Sequence, residues 1–295
     1  MHSVHIFQIL NHYTSREELD PGFQVLDNSA NQRPDWYEYW PIRNFLLNEA
    51  LDENAFYGFL SPKFKLKTNL SSADVSEFIA AADPATEVVL FSPSIHNSAF
   101  FLNVFEHGES EHPGLMDVTK KFFARAGQPG GVEDSVSDSR NTVHSNFFIA
   151  KPRFWRAWLA LNEQLFQIAE DPDDALGREL RAPTTYRGGE SVQLKVFLME
   201  RIATWILMTD ASFAVWARDP FAARSRIYKL PLAVICDALK LAYATQGRGQ
   251  YRDVFRLVSK IHRNWTRQIR LSSALRVGGV HPLLRQLKSY WDKKA

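Results

Sequence analysis

The sequence contains a single cysteine, Cys236, among its 295 residues. One cysteine rules out an intrachain disulfide, fits a reducing compartment and leaves no cysteine cluster for structural zinc. No apolar run reaches the roughly 18 residues that a membrane-spanning helix needs. No basic stretch precedes the short apolar run at the N-terminus, so a secretory signal is not expected. These absences predict a cytoplasmic protein.

Several familiar catalytic motifs are missing as well. The sequence has no GxxxxGK[ST] phosphate loop, no GxGxxG fingerprint, no GxSxG nucleophile elbow and no HExxH metal motif. Residues 107–114 mix histidines with glutamates, but their spacing matches no metal-ligand pair on one helix face, and they are interpreted as a surface loop. A Ser-His-Asp triad is left open, because only the fold would assemble it.

Acidic residues are scarce in the last part of the chain. Residues 217–295 hold 17 of the 35 Lys+Arg but only 4 of the 33 Asp+Glu. This section therefore predicts an anionic partner (a membrane surface, a lipid phosphate or nucleic acid) unless it is simply a solvated basic face. An apolar stripe, surrounded by basic residues, is typical of a helix that lies on an anionic membrane. No nucleic-acid recognition motif is evident, so nucleic acid is not the expected partner. The apolar stripe consists of Tyr251, Val254, Phe255, Leu257 and Val258, and the basic residues are Arg248, Arg252, Arg256, Lys260, Arg263, Arg267 and Arg270.

Short apolar segments alternate with helical patterns through most of the chain, and only helical patterns follow. This order predicts an α/β fold with a mostly parallel central sheet, flanking helices and a C-terminal α-helical appendix, divided into domains 1–216 and 217–295. Two polar stretches, 127–141 and 171–189, are interpreted as flexible, the first as a candidate lid. Strands are predicted at 4–10, 23–26, 54–61, 87–91 and 146–149, and helices at 36–47, 73–82, 98–106, 115–126, 153–169 and 192–209.

Residues 27–68 contain an ordered set of features. An acidic-Asn turn is followed by an aromatic-Glu helix ending in Trp-x-x-Arg-Asn, and then by a Tyr-x-Gly-hydrophobic strand with basic residues after it. Residues 146–159 (NFFIAKPRFWRAWL) and 197–207 (FLMERIATWIL) complete the series. The order resembles that of bacterial capsular-polysaccharide glycosyltransferase-like proteins over about residues 4–215. The family's usual His-Tyr-Arg-Arg-Tyr after the strand is Ser-Pro-Lys-Phe here, at residues 61–64.

The resemblance implies a GT-A type fold and a nucleotide-sugar-dependent glycosyltransferase. Such an enzyme transfers a sugar to a polysaccharide or lipid-linked glycan, as in capsule or O-antigen synthesis. A basic section on the inner face of the cytoplasmic membrane would bring it to a lipid-linked acceptor. Two other classes stay open: a non-catalytic sugar- or nucleotide-binding module, and a nucleic-acid-binding protein acting through the basic section.

A glycosyltransferase must stabilise the departing nucleoside diphosphate. Many hold it with a divalent cation on an Asp-x-Asp, and none follows a candidate strand here. Lys63, Lys65 and Lys67 alternate, and in an extended segment they would point three amines to one side. We therefore expect these lysines, with Arg33, to neutralise the diphosphate without a metal, and no cofactor besides the nucleotide-sugar; a divalent cation is left open. Donor binding is assigned to Asp27, Asn28, Arg33, Glu38, Ser61, Lys63, Lys67 and Thr68.

A Glu-Arg pair, Glu200-Arg201, interrupts an apolar helix, where a charge is costly unless it is paired. Desolvation there would raise the pKa of Glu200, which makes this carboxylate the first candidate for general base. A buried structural Glu-Arg pair is the alternative. His144 is a second candidate acid or base. Acceptor binding is assigned to Ser92, His96, Asn97, Asn146 and Arg201.

Overall fold

The computed structural model describes residues 3–92, 95–185, 191–221 and 230–274, of which 96, 185 and 265–274 are described by their backbone alone. The chain forms two compact units. The first contains Met1–Ser94 and Leu102–Pro220, and the second contains Ile95–Phe101 and Phe221–Ala295. The sequence pattern divides the chain once, after residue 216. The structure also assigns a short internal segment to the second unit, which no division in chain order can anticipate.

The strands confirm an α/β class with a mostly parallel central sheet. Six strands of the described chain form this sheet in the order β2-β1-β3-β5-β4-β8, and β6 and β7 form a separate antiparallel pair. Strand β5 is antiparallel to both of its neighbours, and the other five strands share one direction. The strands are β1 (Val4–Asn11), β2 (Gln24–Asn28), β3 (Phe56–Leu60), β4 (Val88–Leu90), β5 (Phe148–Ala150), β6 (Pro183–Thr185), β7 (Ser191–Gln193) and β8 (Val215–Ala217).

One edge of the sheet collects residues that are far apart in sequence. The five codirectional strands end at this edge, and the antiparallel β5 begins there. Leu60 of β3 pairs with Gln8 of β1, and Leu90 of β4 pairs with Phe148 of β5. Residues that follow β3 and β4 therefore lie at the same edge as residues that precede β5.

Both faces of the sheet are apolar, as expected for a largely parallel sheet covered on two sides. Along β3, Tyr57 and Phe59 belong to one buried cluster, whereas Phe56 and Leu60 belong to another. Helices cover both clusters. The described α-helices are α1 (Tyr39–Asn48), α2 (Phe64–Thr68), α3 (Ser72–Ala80), α4 (Ile95–Ser98), α5 (Val104–Glu111), α6 (Leu115–Arg125), α7 (Pro152–Glu170), α8 (Ala175–Leu180), α9 (Leu194–Thr209), α10 (Leu230–Gln246) and α11 (Gly249–Ala274).

Local side-chain chemistry sets several helix ends. Ser71 caps α3 through a capping box with Asp74. The single helix predicted at 98–106 is wrong: α4 ends at Ser98, and the Asn103 carboxamide starts α5 by accepting hydrogen bonds from the next backbone amides. Most of the expected surface loop at 107–114 is therefore helical.

Residues 127–141 contain no helix or strand, as expected of a loop, and hydrogen bonds connect this loop to Asn103 and Trp205 of the first unit. Its role as a lid stays a prediction. The Asn103 carboxamide donates to the carbonyls of Val132 (2.8 Å) and Ser135 (2.9 Å), and the Trp205 indole donates to Gln128 at 3.0 Å. The predicted flexible stretch 171–189 contains α8 and β6. Among the described helices, none combines the length and the apolarity needed to cross a membrane.

Gly58 in β3 allows a close approach to the neighbouring strand. A Cβ at this position would lie 2.6 Å from Cγ1 of Ile149 in β5. We expect Gly58→Ala to lower the free energy of unfolding by about 1–3 kcal/mol through overpacking, measured by urea denaturation. Adding Ile149→Ala should cancel part of the overpacking. Gly130→Ala, where no atom lies within 4 Å, is the control and should change stability little; equal losses at both glycines would contradict the packing argument.

Candidate functional site

Two carboxylates assigned on separate grounds, those of Glu38 and Glu200, lie close together in the structure. Glu38 immediately precedes α1, Glu200 lies in the middle of α9, and both side chains are partly accessible. Between Leu194 and Leu207, every residue of α9 except Glu200 is buried. Glu200, the one acidic residue of α9, is therefore partly exposed within an otherwise buried stretch of the helix.

The surroundings of the two carboxylates favour a proton on the pair near neutral pH. Burial, and then the charge of Glu200, raise the pKa of Glu38 to about 7, although Lys67, Lys63 and a hydrogen bond with the Ser61 hydroxyl oppose the shift. Burial also raises the pKa of Glu200. Within the described residues, no hydrogen bond or ion pair involves the Glu200 carboxylate. A carboxylate with a raised pKa and unused acceptor positions is suited to accept a proton from a bound hydroxyl group.

Lysines of α2 provide the positive charge beside this pair. The expectation that Lys63, Lys65 and Lys67 extend and point to one side is wrong, because residues 64–68 are helical. In a helix, residues four apart share a face and residues two apart do not. Accordingly, the positive charges of Lys63 and Lys67 oppose the rise in the pKa of Glu38, whereas the charge of Lys65 lowers the pKa of Asp20.

The turn before β5 forms another wall of the site. Lys67 donates a hydrogen bond to the Ser145 hydroxyl at 2.9 Å. Ser145 and Asn146 both have left-handed backbone conformations, with φ of 58° and 53°, and consecutive left-handed residues other than glycine store backbone strain. The side-chain nitrogen of the buried Asn146 lies 3.6 Å from the sulfur of Met199, the residue before Glu200. The side-chain oxygen Oδ1 of Asn146 has no hydrogen-bond partner in the described part of the chain. A bound polar group would satisfy this oxygen.

Ser92 supports this turn through two hydrogen bonds. Its hydroxyl donates to the Thr142 carbonyl at 2.6 Å and accepts from the His144 amide at 3.1 Å. The Ser92 hydroxyl thus donates and accepts within the protein, and binding of the acceptor sugar by Ser92 stays a prediction. The His144 ring lies 6.0 Å from the ring of His107 on α5, which places it against that helix.

Three other predicted site residues, Arg33, Thr68 and Arg201, form hydrogen bonds within the protein. Arg33 forms a bidentate pair with Asp35 and a bond to Glu170 rather than facing Lys63. Thr68 closes α2 by donating to the Phe64 carbonyl at 2.8 Å. The buried Arg201 guanidinium donates to the carbonyls of Val104 and Phe197, 3.0 and 2.6 Å away, and forms no ion pair with Glu200. Both guanidinium groups are thus engaged within the protein, and a diphosphate contact at Arg33 and an acceptor contact at Arg201 stay predictions.

The remaining predicted residues lie on β2 and on α4. Asp27 and Asn28 end β2, at the sheet edge described above. Asp27 accepts a hydrogen bond from the Ser29 amide at 2.9 Å, and Asn28 lies 3.5 Å from Asn11. His96 and Asn97 belong to α4 in the second unit; the His96 side chain lies outside the described residues, as do Pro93 and Ser94 after β4.

A buried lysine that the sequence analysis missed connects the segments carrying the two carboxylates. Lys195, at the start of α9, is 1% exposed, and its ammonium lies 2.6 Å from Asp35 and 3.6 Å from Glu170. It also lies 4.2 Å from the centroid of the Trp36 ring. Asp35 is three residues before Glu38, and Lys195 is five residues before Glu200. A lysine near the start of an apolar helix is the sequence signal that could have revealed this pair.

We expect Lys195→Met to lower the free energy of unfolding by about 3 kcal/mol, because it breaks a buried ion pair and leaves Asp35 with Arg33 as its remaining cation. The measurement is urea denaturation. Arg156→Met is the control, since the Arg156–Glu53 pair is 57% and 62% exposed and should contribute less than about 1 kcal/mol. Equal effects of the two substitutions would refute a special role for the buried pair.

The raised pKa of Glu38 predicts a pH-dependent cost to stability. A carboxyl whose pKa rises from 4.5 to about 7 on folding contributes stability that is present below about pH 4.5 and lost as the pH rises through 7. Glu38→Gln should therefore raise the free energy of unfolding by about 2 kcal/mol more at pH 8 than at pH 5.

Glu163→Gln is the matched control for this measurement. Burial would raise the pKa of Glu163, but hydrogen bonds from Arg43 and Tyr39 hold it below 4.5. The stability that ionised Glu163 contributes is present at both pH 5 and pH 8, so Glu163→Gln should lower the free energy of unfolding about equally at the two pH values. A Glu38→Gln effect that is the same at pH 5 and pH 8 would contradict the raised pKa.

Comparisons with family models, with curated proteins and with solved structures gave no match. Among the described residues, no group of three or more His, Cys, Asp or Glu side chains is placed to hold a metal ion. The functional conclusion therefore depends on the geometry of the carboxylate pair, the lysines of α2 and the turn before β5.

Proposed function

We propose that the protein is a GT-A type glycosyltransferase that transfers a sugar from a nucleotide-sugar donor to a glycan acceptor. The observation that carries the proposal is the partly exposed Glu200 within a buried stretch of α9, beside Glu38 and two lysines. This arrangement lies where ligands bind in mostly parallel sheets, beyond the carboxyl ends of the strands. A six-stranded, mostly parallel sheet is compatible with the GT-A class.

The lysines of α2 are suited to the leaving group. Lys63 and Lys67 lie on one side of a short helix, and Lys67 reaches the turn before β5. Two ammonium groups at this edge would neutralise the charge that develops on a nucleoside diphosphate as it departs. We propose that they do so without a divalent cation.

The two carboxylates take different roles in this proposal. Glu38 interacts with the Ser61 hydroxyl and faces the lysines, so it accepts hydrogen bonds from hydroxyls of the donor sugar. Glu200 accepts the proton of the acceptor hydroxyl as the acceptor oxygen bonds to the anomeric carbon. The bond from that carbon to the diphosphate breaks, and its electron pair leaves with the diphosphate. The side-chain oxygen Oδ1 of Asn146 accepts a hydrogen bond from a sugar hydroxyl.

The acceptor in this proposal is a polysaccharide or a lipid-linked glycan. Glu38 and Glu200 are both partly exposed, and carboxylates that reach the surface suit an acceptor much larger than one sugar. The same geometry accommodates a growing chain end whose hydroxyl points toward Glu200.

Nucleotide binding tests the first part of the proposal. We expect one nucleotide among UDP, GDP, CMP and dTDP to raise the melting temperature in the presence of EDTA, because the lysines replace a metal. The Lys63→Ala/Lys67→Ala double variant should lose this shift. Lys65→Ala is the matched control and should keep it, since Lys65 acts on Asp20 instead. A shift that needs manganese, or one that survives the double variant, would contradict the role of the lysines.

Turnover distinguishes an enzyme from a binding module. With nucleotide-sugars of the class identified above, release of the nucleotide should fall at least about 100-fold in Glu200→Gln, while the thermal shift by the nucleotide is retained. Binding without release by the wild-type protein would favour the non-catalytic module. The absence of any nucleotide shift would remove the proposed function altogether.

A further inference from the structure

Helix α11 of the second unit has one buried face and one exposed apolar face, although its sequence suggests a single apolar stripe. Phe255, Ser259 and His262 are buried, and the His262 ring stacks on Phe100 with centroids 3.6 Å apart. The Ser259 hydroxyl donates to the Phe100 carbonyl. This inner face attaches α11 to the segment Ile95–Phe101 within the same unit.

The outer face of α11 is apolar and exposed. Val254, Leu257 and Ile261 are 47%, 59% and 59% exposed. Their spacing of three and four residues places them in a single row along the helix. We call these three residues the outer row. A row of large apolar side chains that remains in water indicates a surface that is covered by something else.

Basic residues lie beside the outer row. Arg256 and Lys260 are exposed, are four residues apart on the neighbouring face, and take part in no ion pair within the described residues. Acidic residues are scarce in this part of the sequence, since residues 217–295 contain only 4 Asp+Glu, of which Asp253 lies on α11. The occupant of this surface must therefore satisfy apolar side chains and cations together.

We propose that the outer row and its basic neighbours bind the surface of an anionic lipid bilayer. The apolar side chains would enter the boundary between headgroups and acyl chains, and the long Arg and Lys side chains would reach the phosphates. Nucleic acid would satisfy the cations but would leave the outer row in water. A second copy of the chain would cover the outer row but would bring two strongly basic sections together.

The proposal concerns α11, which belongs to the second unit, and does not depend on the function proposed for the first. Its test uses the full chain and co-sedimentation with vesicles. We expect binding to equimolar phosphatidylcholine and phosphatidylglycerol, much weaker binding to phosphatidylcholine alone, and a loss of binding as salt is added.

Two pairs of substitutions test the two parts of the surface. Leu257→Gln/Ile261→Gln should weaken partition at least about tenfold, because the inserted apolar area is lost. Arg256→Gln/Lys260→Gln should weaken it about 25-fold, at about fivefold for each charge. Leu47→Gln is the matched control, since Leu47 is a leucine 51% exposed on α1 of the first unit, and it should bind as the wild type does. Circular dichroism melting establishes that every variant is folded.

Three outcomes would overturn the proposal. The first is equal binding of the wild type and Leu257→Gln/Ile261→Gln to anionic vesicles. The second is a wild-type protein that does not bind vesicles but binds single-stranded RNA, with Leu257→Gln/Ile261→Gln binding the RNA equally well. That result would identify a nucleic-acid surface. The third is absence of vesicle binding together with self-association that this variant abolishes, which would identify a second copy as the occupant.

Discussion

The ion pair between Lys195 and Asp35 joins the two segments whose carboxylates form the candidate site. The buried ammonium lies 2.6 Å from its partner and beside the Trp36 ring. Without a cation at the start of α9, the segment that leads into Glu38 would lose its charged connection to the helix that carries Glu200. Partial burial raises the pKa of both acidic groups, and the charge of Glu200 adds to the shift at Glu38. The ion pair between Lys195 and Asp35 connects the backbone segments that carry the two carboxylates and offsets the repulsion between the carboxylate charges.

The reversed direction of β5 supplies the other half of the site. Because β5 is antiparallel within a mostly parallel sheet, the residues before it lie at the edge where its neighbours end. The strained turn at Ser145 and Asn146 is thereby placed against Lys67 and α9. Strain and an unsatisfied buried oxygen in the same turn are costs that a bound polar ligand would offset.

Much of the fold followed from residue patterns. Apolar segments and helical periodicity located β1, β3, β4, β5 and the long helices to within a few residues, because buried strands and helices of this length have strong signals. The short strands β6, β7 and β8 were missed, since they lack the fully buried apolar run that reveals the equally short β4 and β5. Glu200 and Glu38 were singled out because each is an ionisable group in an otherwise apolar or aromatic pattern. The intramolecular partners of Arg33 and Arg201 could not be predicted, because a guanidinium has the same sequence signal whether it binds a ligand, a carboxylate or a carbonyl.

The sequence by itself determined the α/β class, the mostly parallel sheet, the contrast between an acidic body and a basic C-terminal section, and the presence of an acidic residue within the apolar helix α9. Only the tertiary structure decided which charges meet. It placed Lys63 and Lys67 near Glu38 but directed Lys65 elsewhere, it engaged Arg33 and Arg201 in other contacts, and it divided the apolar residues of α11 between a buried and an exposed face. The physical reason is that periodicity reports which side of an element avoids water, whereas charge partners and coverage come from elements distant along the chain.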